Sequence, residues 1–235
     1  MQIQKKIFPA VFAVFLVSCS PHHTILGTTY GWSDESIQVL LDAKMDKLRI
    51  RHVRKNNENC VSGYQEFLEI DGQIGPDATE AVKRLLPQLH KCIDKSDGMQ
   101  PNEVYLSSQG GLLSDGFEMG RLFRKHQVAT RITRQQECWS SCAIAFLGGK
   151  FRNIEGTGKL MFHAPYTSSG YRSAYGGLKI DCSDRGQVSD LRKYYKSVLD
   201  EKTSDYLLTR TMSYCSSRDG WTLNADGARL LGLLN

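Results

Sequence analysis

The sequence predicts a single α/β domain built from βαβ units around a mainly parallel sheet. Two patterns carry this reading. Short strand-like runs alternate with longer segments of helical period, the order that wraps helices over a parallel sheet. Glycines then punctuate the run ends, at Asp71-Gly72, Gly110-Gly111 and Gly148-Gly149. The length, 235 residues of one composition without internal repeat, suits one domain.

Taken in order, residues 20–33 are polar and Gly-rich and read as a tether. Ser33 or Asp34 caps a short helix predicted over 34–46, where Ile37, Leu40, Leu41 and Met45 recur at helical spacing. Leu48 to Val53 alternates apolar and basic residues, as an exposed strand does. Phe67 to Ile70 is a strand stopped by Asp71-Gly72. Pro76-Asp77 then opens a helix to about residue 94, with Ala81, Val82, Leu85, Leu86 and Leu89 on one face. Glu103 to Ser107 is a strand, 113–126 a helix, Val128 to Thr133 a strand and Ser141 to Leu147 a buried helix. Lys159 to His163 is a further strand, 187–212 a long helix and Ala225 to Leu234 a short one. The α/β domain thus runs over 48–235, behind a tether and short helix at 19–47.

The N-terminus carries an export address. Lys5 and Lys6 precede an apolar run from Ile7 to Val17, too short to span a bilayer. It ends in Leu16-Val17-Ser18-Cys19, which resembles a bacterial lipobox: residues 1–18 would be removed as a signal peptide and Cys19 lipidated. Ser20, rather than Asp, then leans towards the outer membrane, facing the periplasm. An ordinary secretory signal with an incidental Cys is the alternative. The formal net charge of +5 falls to +3 without Lys5 and Lys6 (28 basic minus 25 acidic), too little to argue for nucleic acid.

Export makes disulfides the expected state of Cys60, Cys92, Cys138, Cys142, Cys182 and Cys215. Cys60–Cys92 is the favoured pair, since both flank the first strand–helix unit, and Cys182–Cys215 is next. Cys138 and Cys142 pair with each other or with Cys182 or Cys215. Zinc competes weakly: no second close pair follows and no His stands at finger spacing, so no metal is expected. No nucleotide-binding or zinc-protease motif is present, and no cofactor is expected.

Three segments carry chemistry. Ser108-Gln109-Gly110-Gly111 follows a strand and leaves backbone N–H groups unhindered. Ser140, in Cys138-Trp139-Ser140-Ser141-Cys142, stands at a strand-to-helix turn where nucleophiles sit, or where a serine simply caps a helix. His163 ends a strand, 23 positions later, and precedes Ala164-Pro165. His52, His90 and His126 read as incidental. The basic run Arg49, Arg51, Arg54 and Lys55 reads as a solvated strand face, with contact to anionic lipid a weaker alternative.

In that order the three segments resemble the Clp-protease/crotonase superfamily, and more narrowly bacterial periplasmic proteins related to the Clp proteolytic subunit. The resemblance covers residues 64–235 and includes Leu68 to Ile74 as the family's first strand and Gly turn. It implies Ser140 as nucleophile, His163 as general base, and the N–H groups of Gly111 and Ser141 as oxyanion hole. Ser141 and a free Cys142 are rival nucleophiles. The third member departs from the family: Tyr214 or Cys215 stands at the matching place, leaving Asp219, then Asp205, as candidates. Gln109 replaces the family's Pro before Gly-Gly. The resemblance also implies a peptide or protein substrate and homo-oligomeric assembly. Two functions remain open: a serine hydrolase, most simply a peptidase, or an inactive Clp-like envelope lipoprotein serving as a binding or assembly scaffold.

Overall fold

The structure, a computed structural model, describes residues 23–25, 28–30, 36–172 and 178–235. The predicted signal peptide, Cys19 and the Ser33/Asp34 cap lie outside the described residues.

A short antiparallel ladder pairs His23–Ile25 (β1) with Thr28–Tyr30 (β2). Ile37–Met45 (β3), Leu48–Asn56 (β4) and Tyr64–Gly72 (β5) form an antiparallel meander. Pro76–Leu85 (α1) follows, with proline in its first turn and Lys83 and Arg84 in its last, where each suits the helix end. Ile93–Asp94 (β6) and Gly98–Met99 (β7) make a small ribbon. Then come Glu103–Ser107 (β8), Leu113–Lys125 (α2), Ala129–Ile132 (β9), Glu137–Trp139 (β10) and Ser141–Leu147 (α3). Phe151–Ile154 (β11) and Lys159–Phe162 (β12) precede a hairpin of Thr167–Arg172 (β13) and Leu178–Asp181 (β14). Arg185–Val198 (α4), Glu201–Met212 (α5), Trp221–Leu223 (β15) and Ala225–Leu230 (α6) complete the chain.

The main sheet has the order β11-β9-β8-β5-β4-β3, and its first four strands are mutually parallel. A second sheet, β10-β12-β15, joins β10 and β12 in parallel and closes with antiparallel β15. The two sheets meet where Ser108, just beyond β8, bridges Cys138 in β10. The fold is therefore the mixed α/β domain with a mostly parallel central sheet that the βαβ pattern predicts. Its core lies under α1, α2 and α3, and every residue of α3 is buried, as its all-apolar or small sequence requires.

Several sequence expectations are corrected. The helix expected over 34–46 is strand β3, so the sheet begins at Ile37 rather than Leu48. Strand β4 is not exposed: Ile50 and Val53 are wholly buried, and Arg51 is buried against Glu69, its cross-strand partner, at 2.6 Å. His52 and Arg54 both bind the Glu66 carboxylate, so the basic run is not simply a solvated face. The first helix stops at Leu85, with a 3₁₀ turn to Gln88. The long helix breaks at Leu199-Asp200, where the Asp200 side chain accepts the Thr203 N–H and caps α5.

Candidate active site

Parallel strands deliver their C-terminal ends to one rim. Here Gly72 at the end of β5, Gly110-Gly111 beyond β8, Ser140 beyond β10 and His163 beyond β12 all line one cleft of about 950 Å³. Its inner wall is apolar, with Leu113, Phe117, Ile144 and Leu191, while Lys47 and Asp190 are its charged members.

Ser140 links β10 to α3 with φ 53° and ψ −122°, a left-handed conformation that serine rarely adopts. Such strain costs roughly 1–3 kcal/mol and persists only where its surroundings enforce it. Three contacts do so. The Ser140 N–H donates to the Met161 carbonyl at 2.8 Å, and the Ser140 carbonyl accepts the Ile144 N–H at 3.1 Å. A disulfide joins Cys138 to Cys142 across the turn, and both cysteines are fully buried. Gly110 then lies directly against the serine: a Cβ there would stand 2.8 Å from the Ser140 Cβ and 3.4 Å from its Oγ.

Gly111 packs as closely on Ile74, whose carbonyl a Cβ would approach to 1.9 Å. The neighbouring backbone is fully used: Ile74 N–H donates to the Gly110 carbonyl and Leu112 N–H to the Ile74 carbonyl, both at 2.9 Å. The N–H groups of Gly111 and Ser141 donate to no protein acceptor among the described residues. Ser141 itself is buried, its hydroxyl has no hydrogen-bond partner among the described residues, and its Cβ packs on Gly116 of α2. Its side chain does not line the cleft, which speaks against Ser141 as the nucleophile. Cys142 is oxidised and is no free thiol.

His163 Nδ1 lies 2.9 Å from the Ala164 carbonyl oxygen. A carbonyl only accepts, so Nδ1 carries the hydrogen and Nε2 is left with the lone pair. Burial holds the imidazole below its ordinary pKa, partly opposed by the Ala164 bond. The Ala164 N–H in turn donates to the Tyr214 carbonyl at 2.9 Å, beside the Cys182–Cys215 disulfide. Cys60–Cys92, the favoured pair, also forms, outside the cleft lining, and Cys138–Cys142 is the one realised among the alternatives left open for those two.

The structure does not bring every candidate together. Among the described residues no hydrogen bond joins Ser140 to His163. Asp219 accepts the Gly220 N–H at 2.8 Å and, among the described residues, makes no hydrogen bond or ion pair with His163. Asp205 sits exposed on α5, 3.9 Å from Lys196. The partner of His163 is instead a backbone carbonyl, for which the sequence offers no signal.

No family model matches the chain, and no curated protein matches it in sequence. Solved structures do. An alanine variant of the 1510-N membrane-bound stomatin-specific protease is similar with a TM-score of 0.54 at 13% identity, over 71% of this chain and 75% of that one. A second alanine variant of that protease, in complex with a substrate peptide, gives a TM-score of 0.52 at 14% identity, over 71% of each chain. The chain shares its fold with that protease. Identities this low speak for the fold alone, and the chemistry rests on the residues of the cleft.

Proposed function

We propose that this chain is a lipid-anchored protein of the bacterial envelope, facing the periplasm from the outer membrane, whose Ser140 and His163 cleave peptide bonds. The observation that carries the reading is Ser140, held in a strained conformation at a strand-to-helix turn, in the same cleft as an imidazole whose Nε2 is free. Ser140 Oγ attacks the substrate carbonyl carbon while Nε2 of His163 takes its proton. The oxyanion is received by the N–H groups of Gly111 and Ser141. The C–N bond breaks as His163 returns the proton to the leaving amine, and water repeats the sequence to release the acyl group from Ser140. Removal of one oxyanion donor typically costs about a hundredfold or more in rate. A peptide substrate agrees with the size of the cleft and with the substrate peptide held by one of the similar structures. The anchor is the acyl group on Cys19, read from the lipobox, and mass spectrometry of the mature N-terminus tests it. Homo-oligomeric assembly belongs to the same reading and is tested by sedimentation.

A fluorophosphonate probe tests the chemistry. It should label Ser140, and Ser140→Ala and His163→Ala should each abolish labelling with little change in melting temperature. Labelling that survives Ser140→Ala overturns the assignment. A second reading, the non-catalytic scaffold, is favoured by the missing Ser140–His163 hydrogen bond and by the lack of a carboxylate on His163. An unlabelled wild type would support it.

A further inference from the structure

At the end of the sheet opposite the cleft, three large apolar side chains stand in a row. The register pairs Ile93 of β6 with Met99 of β7. On the other side of β6, Cys60 bridges Asp94 and the Val61 N–H donates to the Ile93 carbonyl at 2.8 Å, which sets Val61 beside Ile93. Val61, Ile93 and Met99 are 65%, 52% and 64% exposed. Their neighbours Cys60 and Cys92 alternate to the inner face, where both are buried and joined as a disulfide. The row is thus a rigid apolar ladder. The turn beside it is fixed by Asp94, whose carboxylate accepts the N–H groups of Ser96 and Asp97.

Its position says what it faces. Strand β5 runs from Tyr64, near the ladder, to Gly72 at the cleft, and eight steps of about 3.3 Å put roughly 26 Å between the two ends. The chain enters the sheet at the ladder end: the Asn56 N–H donates to the Ser36 carbonyl at 2.7 Å. The segment that follows Cys19 therefore joins the domain at its ladder end. We infer that Val61, Ile93 and Met99 insert into the interface of the bilayer that holds the anchor, so that the cleft faces away from the membrane. The inference rests on the anchor proposed above. The nearby charges, Lys91 and Lys95 against Glu58, Asp94 and Asp97, carry no positive excess, so contact comes from apolar insertion rather than from attraction to anionic lipid. A rigid ladder loses little freedom on insertion, and the anchor keeps it at the surface.

The test uses the full acylated chain in vesicles of phosphatidylethanolamine and phosphatidylglycerol containing a phosphatidylcholine brominated in its acyl chains. Ile93→Trp places a fluorophore in the ladder, and Leu112→Trp places one at an exposed position of the cleft. The emission added by Ile93→Trp should fall at least twofold with brominated lipid, and that added by Leu112→Trp should not change. Val61→Asp with Met99→Asp should remove the quenching without lowering the melting temperature. Equal quenching at both reporters, or at neither, overturns the inference. A blue shift of the Ile93→Trp emission without quenching also overturns it, because a second copy or another protein then covers the ladder. An unacylated Cys19 is seen separately by mass spectrometry and sinks the anchor, while quenching by the same vesicles still decides the ladder.

Discussion

The imidazole of His163 is oriented by the backbone carbonyl of the next residue, Ala164, at 2.9 Å, rather than by a carboxylate. A neutral acceptor fixes the tautomer without adding negative charge beside the ring, and burial then sets the direction in which the ring titrates.

The first prediction concerns pH. In the proposed chemistry the base form of His163 is the active one, and burial lowers its pKa, so that form persists to lower pH than in a free imidazole. Fluorophosphonate labelling should rise with pH and level off, with its midpoint below about 6.5. Asp219→Asn should leave both midpoint and plateau within about twofold, because that carboxylate binds Gly220. A midpoint above 6.5, or one moved by Asp219→Asn, would mean that an acid faces the ring.

Gly110 provides a second. Its φ is +97°, and an added methyl group meets the Ser140 Cβ and the Trp139 carbonyl, at 2.8 and 2.9 Å. Gly110→Ala should lower stability by about 1–3 kcal/mol in urea unfolding. Labelling should fall at least tenfold, because the methyl group displaces the nucleophile. Unchanged labelling would show that the elbow yields freely.

The disulfides separate stability from chemistry. Cys60–Cys92 spans 32 positions and Cys138–Cys142 only 4. By loop-closure entropy the first contributes about 4 kcal/mol and the second about 2. Replacing Cys60 and Cys92 by Ser should therefore cost more stability and leave labelling of the folded protein intact. Replacing Cys138 and Cys142 should cost less stability and slow labelling about tenfold, with the pH midpoint unchanged. Equal labelling by the two variants would remove the elbow disulfide from the positioning of Ser140.

Arg51 and Glu69 form a buried cross-strand pair, their side chains 4% and 1% exposed. Burial pushes the Glu69 carboxyl up and the Arg51 guanidinium down, and each offsets part of the other's desolvation. Arg51→Met alone should cost about 3–5 kcal/mol by leaving an uncompensated buried acid. Adding Glu69→Leu should recover most of that in urea unfolding. A double variant as unstable as the single would show that shape, not charge, is at stake.

Most of the fold was legible because each βαβ step writes its own period, and Ser140 and His163 stood at ends of elements that the pattern located. Strand β3 was misread for a specific reason. Its register shifts between Val39 and Leu41, so Ile37 and Val39 pack on one face of the sheet while Leu41 and Met45 pack on the other. That change of face in mid-strand yields the i, i+3, i+4 spacing of a helix. Hairpin β13–β14 escaped because Thr167 to Ser169 has no apolar alternation. The group that orients His163 was not legible, because a main-chain carbonyl has no residue type.

The peptide that orients His163 is itself tied down, through the Ala164–Tyr214 hydrogen bond, next to a cystine at Cys182–Cys215. With the cystine around Ser140, both halves of the cleft depend on sulfur chemistry that the ribosome does not supply. A newly made chain whose thiols are still reduced has neither tie. On the function proposed above, oxidation of these two pairs would license the cleft, and a chain with reduced thiols would be spared its activity.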